Sequence, residues 1–281
     1  MKSRGDNSEG DYIAFFNSDD YVGSDFASGG DLCFMDYKDT NLVRYEKVDY
    51  EAVEGNIYAA VNPVGKYCYY IAFKTARWFI KMLHDRSNKR YRDLKVLDVG
   101  CGDGHITRMM VSLLDCAENV YGFDFSENNI KHCKQLNGSV NYSVGDITGC
   151  MPFEAQFDGI SAFVVLSHLR KENDVKAALK NIYNALNDNG LFLWYELISK
   201  SHYINPDKDT QGFNSTELER YANEAGFKEI ARKSFSKTIW IGNKSKSIYY
   251  FAKEHNIWFL ELLSRILPMR PTITIRLYKK V

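Results

Sequence analysis

The run Val96-Leu97-Asp98-Val99-Gly100-Cys101-Gly102-Asp103-Gly104 constrains this chain more than any other part of its sequence. An apolar strand enters a turn with glycine at every second position and leaves it into the amphipathic segment His105–Leu114. Glycine is needed there because a side chain would keep the backbone from turning sharply and from closely approaching a ligand. The spacing is G-x-G-x-G. A dinucleotide-binding turn carries G-x-G-x-x-G and brings a pyrophosphate to the helix N-terminus, so this turn points to a ligand without one.

From Leu94 onward apolar β-type runs alternate with helical patterns, as in a parallel sheet with helices on both faces. Strands are expected at Lys95–Val99, Asn119–Phe123, Val140–Val144, Gly159–Val165, Gly190–Leu197, Lys228–Phe235 and Thr272–Tyr278. Helices are expected at His105–Leu114, Glu127–Gln135, Val175–Leu186 and Ser215–Ala225. In the last of these Ser215 or Thr216 would cap the start and Gly226 the end. The fold class is α/β, a Rossmann-like seven-stranded sheet, with an N-terminal helical cap and a C-terminal helical insertion.

Three segments follow: a flexible acidic arm over 1–40, a helical cap or lid over 41–92, and a ligand-binding domain over 93–281 with the insertion at about 240–270. Aromatic residues crowd Val43–Met82, where Ile71, Trp78 and Met82 recur at helical spacing. The insertion carries Ile248, Phe251, Trp258, Leu262 and Ile266 on a rough helical stripe. Core or dimer packing, an acceptor-pocket wall and a membrane-facing helix are all open for it.

At 281 residues the chain can hold one α/β domain and an appendage. Lys+Arg and Asp+Glu both number 36, so no global field draws it to nucleic acid, and duplex nucleic acid is not an expected partner. The balance hides opposite ends: residues 1–54 hold 13 acidic against 5 basic side chains, and residues 232–281 hold 11 basic against 2 acidic. These are solvated faces, or they meet across a lid; an anionic substrate or membrane surface is the alternative. Six cysteines lie without a C-x-x-C pair, so neither a zinc site nor a disulfide framework is expected. The start of the chain has no signal-type apolar stretch and no run approaches membrane-span length. The expected location is cytoplasmic, with peripheral membrane contact and a homodimer left open.

The second and third strands end in acidic residues of their own. Asp124, in Tyr121-Gly122-Phe123-Asp124-Phe125-Ser126, can accept hydrogen bonds from both hydroxyls of a ribose. Asp146, in Val144-Gly145-Asp146-Ile147, can receive an adenine amine. Asp98 can face a positive group. S-adenosyl-L-methionine, with a ribose, an adenine, an amino-acid end and a sulfonium and with no phosphate, would meet all three, although Asp124 by itself does not choose between it and a nicotinamide cofactor. His168 lies where the fourth strand releases the chain, beside the expected methyl group, and its ordinary pKa suits a general base. The alternative is a histidine that packs or orients the loop. Tyr195 and Glu196 at the end of the fifth strand and His202 beyond it are candidates to line an acceptor pocket. So are Tyr58 and Tyr67 in the cap, whose plainer reading is cap packing.

Together these residues resemble the class I S-adenosylmethionine-dependent methyltransferases, in particular the small-molecule group of ubiquinone-biosynthesis and glycan or natural-product methyltransferases. The match covers about residues 94–235 and includes Phe157–Leu169 and the Ala-Gly-Phe ending at Phe227. The resemblance implies an antiparallel last strand. It places the cofactor against Asp98, Gly100, Cys101, Gly102, Gly104, Asp124, Phe125, Asp146, Ile147 and Phe163, with no metal. It implies methyl transfer to an oxygen or nitrogen of a small acceptor, for which a glycan, glycolipid or aromatic metabolite is expected. The rivals are a non-catalytic S-adenosylmethionine-binding subunit and a nicotinamide-dependent oxidoreductase.

Overall fold

The computed structural model describes residues 63–154, 156–199, 203–205, 210–235 and 273–281. Helix α1 (Pro63–Ser87) leads through a short 3-10 turn (Tyr91–Asp93) into β1 (Val96–Val99), α2 (His105–Leu114), β2 (Val120–Asp124), α3 (Glu127–Leu136) and β3 (Asn141–Val144). Then come β4 (Phe157–Phe163), a 3-10 turn (Leu166–His168), α4 (Glu172–Ala185) and β5 (Leu186–Leu197). A two-stranded ribbon of β6 (Tyr203–Asn205) and β7 (Thr210–Gly212) precedes α5 (Ser215–Glu224), β8 (Phe227–Phe235) and β9 (Ile273–Lys280). The main sheet has seven strands in the order β3-β2-β1-β4-β5-β9-β8. The first five are parallel, and β9 runs antiparallel to both β5 and β8. The strand order reverses at β1, so the crevice beyond the carboxyl ends of β1 and β4 is where such a sheet takes a ligand.

Strand periodicity sends alternate residues to opposite faces, and each face has its own core. On one face, Val96, Leu193, Tyr195 and Ile275 pack with Phe79, Ile80 and Leu83 of α1, Met110 of α2 and Ile130 of α3. On the other, Leu97, Ile160, Phe192 and Trp194 pack with Val175, Leu179 and Ile182 of α4 and Leu218 of α5. Every residue of β1 is buried, as expected for a central parallel strand covered on both sides. The α1 helix settles on β4 because Gly159 has no side chain. A Cβ there would lie 2.4 Å from Leu83 Cδ1 and 2.7 Å from Phe79 Cζ. Over Ile71–Leu83 this helix is therefore a layer of the fold, where the sequence suggested part of a lid.

Most element ends differ from the sequence reading by one to three residues, and the larger differences have local causes. β5 begins at Leu186 and not at Gly190: Phe157 pairs with Leu186 and Gly159 with Leu191, so Asn187–Gly190 bulges out of the ladder, with Asn189 at φ 63°. The cap of α5 is Asn214, not Ser215 or Thr216. Its side chain accepts from Glu217 N–H at 2.9 Å while Glu217 accepts from Asn214 N–H at 2.9 Å, a reciprocal capping box. Gly226 ends the helix with φ 90°. Ser215 instead accepts from Arg276, a guanidinium 1 % exposed that also donates to Glu229 at 3.1 Å and so ties α5, β8 and β9 together.

The acidic arm, Tyr58, His202 and the insertion at 240–270 lie outside the described residues. Among the described residues no helix is long and apolar enough to cross a membrane.

Candidate cofactor site

The glycine turn adopts left-handed backbone at all three glycines, with φ of 62°, 51° and 75° at Gly100, Gly102 and Gly104. Their surroundings differ. A Cβ on Gly100 would meet Val165 Cγ2 at 2.7 Å, and one on Gly104 would meet Cys133 Sγ at 2.8 Å and Tyr142 Oη at 2.9 Å. A Cβ on Gly102 would meet nothing within 4 Å. The outer two glycines are required by protein packing. The middle one turns bare backbone toward open space at the switch point of the sheet.

Carboxylates brace this turn from below and from the side. Asp124 Oδ2 accepts from Gly102 N–H at 3.0 Å, while its Oδ1 accepts from Ser126 N–H and Asn129 Nδ2, each at 3.0 Å. One side chain thus joins the turn to the start of α3, where Ser126 caps the helix by accepting from Asn129 N–H. Asp98 is 2 % exposed and accepts from Thr107 Oγ1 at 2.7 Å and Ser161 Oγ at 3.1 Å. Burial pushes its carboxyl up to about 7 against those two hydroxyl bonds, with Asp124 and Asp103 adding to the rise. A carboxyl with such a balance is suited to a cationic neighbour, which would favour its ionised form. Cys101 is buried, its thiol pushed up by its contact with Cys133 and by burial, and Cys133 Sγ donates to Gly102 O at 3.3 Å.

The end of β3 joins this group through Gly145 N–H, which donates to Asp124 O at 2.9 Å. Asp146 is exposed and accepts from Thr148 N–H at 2.8 Å; Ile147 is buried and Phe125 half-buried. On β4 and β5, Phe163 and Tyr195 stack at 4.9 Å between ring centroids. His168, half-buried, ends the turn that follows β4. Glu196 does not line an open pocket. It is 0 % exposed and accepts from Ser167 N–H, Trp194 Nε1 and Leu197 N–H. Tyr195 is 4 % exposed, its ring against Phe163. The side chain of Tyr67, like Tyr58 and His202, lies outside what is described.

Several residues around the site escaped the sequence reading. Thr107, Ser161 and Asn129 complete the carboxylate bonds, and a polar Ser161 inside the apolar run of β4 was the available signal for the partner of Asp98, which it faces in register. Tyr69 of α1 meets His105 edge-on at 4.5 Å, bringing the early part of that helix to the residue after the glycine turn. Among the described residues no group of three or more His, Cys, Asp or Glu is arranged to hold a metal ion.

Residues 96–190 match the protein-family model described as a methyltransferase domain. The chain is 32% identical over 111 residues to carboxy-S-adenosyl-L-methionine synthase of Campylobacter concisus, covering 38% of this chain and 46% of that protein. It is 28% identical over 109 residues to ubiquinone biosynthesis O-methyltransferase of Pelagibacter ubique, covering 37% and 42%. The chain thus spans less than half the length of these two curated relatives. In fold it is similar to magnesium protoporphyrin IX methyltransferase of Synechocystis PCC 6803, with a TM-score of 0.59 and 15% identity over 89% of this chain and 99% of that one. Over residues 96–190, which hold the glycine turn and the strands around it, the chain is thus similar to methyltransferase domains, and its fold is that of a solved methyltransferase.

Proposed function

We propose that this chain transfers a methyl group from S-adenosyl-L-methionine to an oxygen or nitrogen of a small acceptor. The observation that carries the reading is the open side of Gly102, set between two glycines whose own open sides are filled by Val165 and by Cys133 and Tyr142. The carboxylates fit that ligand in order. Asp98 would balance the ammonium of its amino-acid end, Asp124 would take the ribose hydroxyls, and Asp146 with Ile147 would meet the adenine edge. Cys101, Phe125 and Phe163 complete the walls. When bound, the cofactor supplies a sulfonium methyl, which passes to the acceptor nucleophile as the carbon–sulfur bond breaks. The chain's part is to align that nucleophile, worth roughly 7–11 kcal/mol of the barrier at best, and to exclude water. His168 would accept the acceptor's proton.

Tyr69 against His105 supports a lid drawn from the part of residues 41–92 that precedes Ile71, of which the start of α1 is the described part. With the aromatic cap and the apolar, basic insertion, an acceptor with both apolar and polar parts, such as a glycan, glycolipid or aromatic metabolite, fits best. Free cysteines at 101, 116, 133 and 150 support a reducing, cytoplasmic setting.

The test is calorimetric titration of the purified chain with S-adenosylmethionine and S-adenosylhomocysteine, followed by incubation with methyl-labelled cofactor and cell extract. Mass spectrometry then identifies labelled products. A folded chain that binds neither ligand refutes the reading. Binding without turnover in any extract leaves a non-catalytic subunit. The carboxy-S-adenosyl-L-methionine synthase among the relatives makes the cofactor product itself worth weighing, since a modified cofactor in place of S-adenosylhomocysteine would replace methyl transfer with chemistry on the cofactor. In His168→Ala, kcat should fall by about 10²–10⁴ with cofactor affinity kept.

A further inference from the structure

Glu196 is the penultimate residue of β5, on the face covered by α4 and α5, and its side chain is wholly buried. Three N–H groups converge on its carboxylate: Ser167 N–H at 3.1 Å and Trp194 Nε1 at 3.2 Å on Oε2, and Leu197 N–H at 3.0 Å on Oε1. Burial pushes this carboxyl up to about 7, while the three N–H bonds pull the other way. A buried carboxyl at such a place costs stability that an apolar residue of the same size would not. Two of its three bonds serve β5 itself, at Trp194 and Leu197. The third holds the middle residue of the 3-10 turn Leu166–His168.

That turn touches both the glycine turn and β5. It is entered through Val164, a β-branched residue at φ 55°, a conformation that costs of order 1–3 kcal/mol and persists only where its surroundings enforce it. Val164 N–H donates to Tyr195 O at 2.8 Å, so the neighbour of Glu196 on β5 grips one end of the turn. Val165 lies where a side chain on Gly100 would be, backing the glycine turn. His168 N–H donates to Val165 O at 3.0 Å and closes the turn on itself.

We propose that Glu196 is a positioning residue: by holding Ser167 N–H it fixes the turn Val164–His168, so that Val165 backs Gly100 and His168 keeps its place beside the site. The role of His168 in proton removal rests on the proposed function. The mechanical link from Glu196 to Gly100 and His168 does not.

The experiment compares Glu196→Met, which keeps the volume and removes the acceptor, with Glu196→Gln, whose one carbonyl oxygen can still take the Ser167 and Trp194 bonds. Two readouts are used: the His168 imidazole resonances in the unliganded chain, followed against pH by NMR and assigned with His168→Gln, and the Kd for S-adenosylhomocysteine by calorimetry. Glu196→Met should displace the His168 resonances and weaken S-adenosylhomocysteine about tenfold, and Glu196→Gln should restore both toward wild type. A folded Glu196→Met with wild-type values in both readouts overturns the proposal, as does equal damage in the two variants. Should Glu196→Met fail to fold, Val165→Ala reads the link from its other end. It should weaken S-adenosylhomocysteine several-fold and shift His168, and unchanged values overturn the proposal. If wild type binds no S-adenosylhomocysteine, the proposed function fails while the His168 resonances still decide this inference.

Discussion

Replacing each glycine of the turn with alanine separates protein packing from ligand space. At Gly102 the backbone is left-handed, φ 51°, and a methyl group meets nothing within 4 Å. The cost to folding is then the conformational one alone, about 1–2 kcal/mol, or a Tm lower by about 2–8 °C. At Gly100 the same strain is joined by a methyl placed 2.7 and 2.9 Å from the two γ carbons of Val165. Valine is stiff at χ1, so overpacking adds about 1–3 kcal/mol and the total reaches about 2–5 kcal/mol. Binding should rank the other way for a given stability loss. Gly102→Ala fills the space where cofactor would approach and should raise the Kd for S-adenosylhomocysteine at least about 30-fold, equivalent to about 2 kcal/mol. Thermal melts with and without S-adenosylhomocysteine, with calorimetry on the folded variants, read both quantities. The reasoning is refuted if folded Gly102→Ala binds like wild type, or if it loses as much stability as Gly100→Ala.

Asp124→Ala leaves Gly102 N–H, Ser126 N–H and Asn129 Nδ2 without their shared acceptor, so it should lose about 1–3 kcal/mol in urea unfolding and at least about tenfold in cofactor affinity; unchanged affinity in the folded variant removes Asp124 from the site. Asp98 and Glu196 are both pushed up to about 7 in the fold, from ordinary values of 3.8 and 4.5. The folded state therefore binds protons that the unfolded state releases, and their contribution to stability is full below the ordinary values, falls as pH rises toward 7 and is level above it. Between pH 5.5 and 8 the fall in unfolding free energy should be smaller by about 2 kcal/mol in Glu196→Gln than in wild type, and an identical slope would contradict the shift. Arg276→Met cuts the tie between α5, β8 and β9 and should cost about 2–3 kcal/mol in urea unfolding with S-adenosylhomocysteine affinity unchanged; a loss under about 1 kcal/mol would show that the apolar replacement compensates fully.

The sequence by itself determined what depends on neighbours in the chain. The order of strands and helices, the extent of His105–Leu114 and the position of the glycine turn follow from periodicity and from backbone freedom at Gly100, Gly102 and Gly104. Asp98, Asp124 and Asp146 could be named as candidates because each sits at or next to a strand end, and strand ends in a parallel sheet share one rim. The long helix α1 was read as cap because its aromatic density says that it packs and not against what. Only the sheet decides that Phe79 and Leu83 fill the space beside Gly159. The same holds for the carboxylates that look alike in sequence. Asp98 and Glu196 both end apolar strands, and a string of residues gives no measure of how much water reaches either. Tertiary structure sets Asp98 under the glycine turn with Thr107 and Ser161, and turns Glu196 inward to Ser167, because hydrogen-bond partners 9, 63 and 29 residues away are brought together by packing and not by spacing.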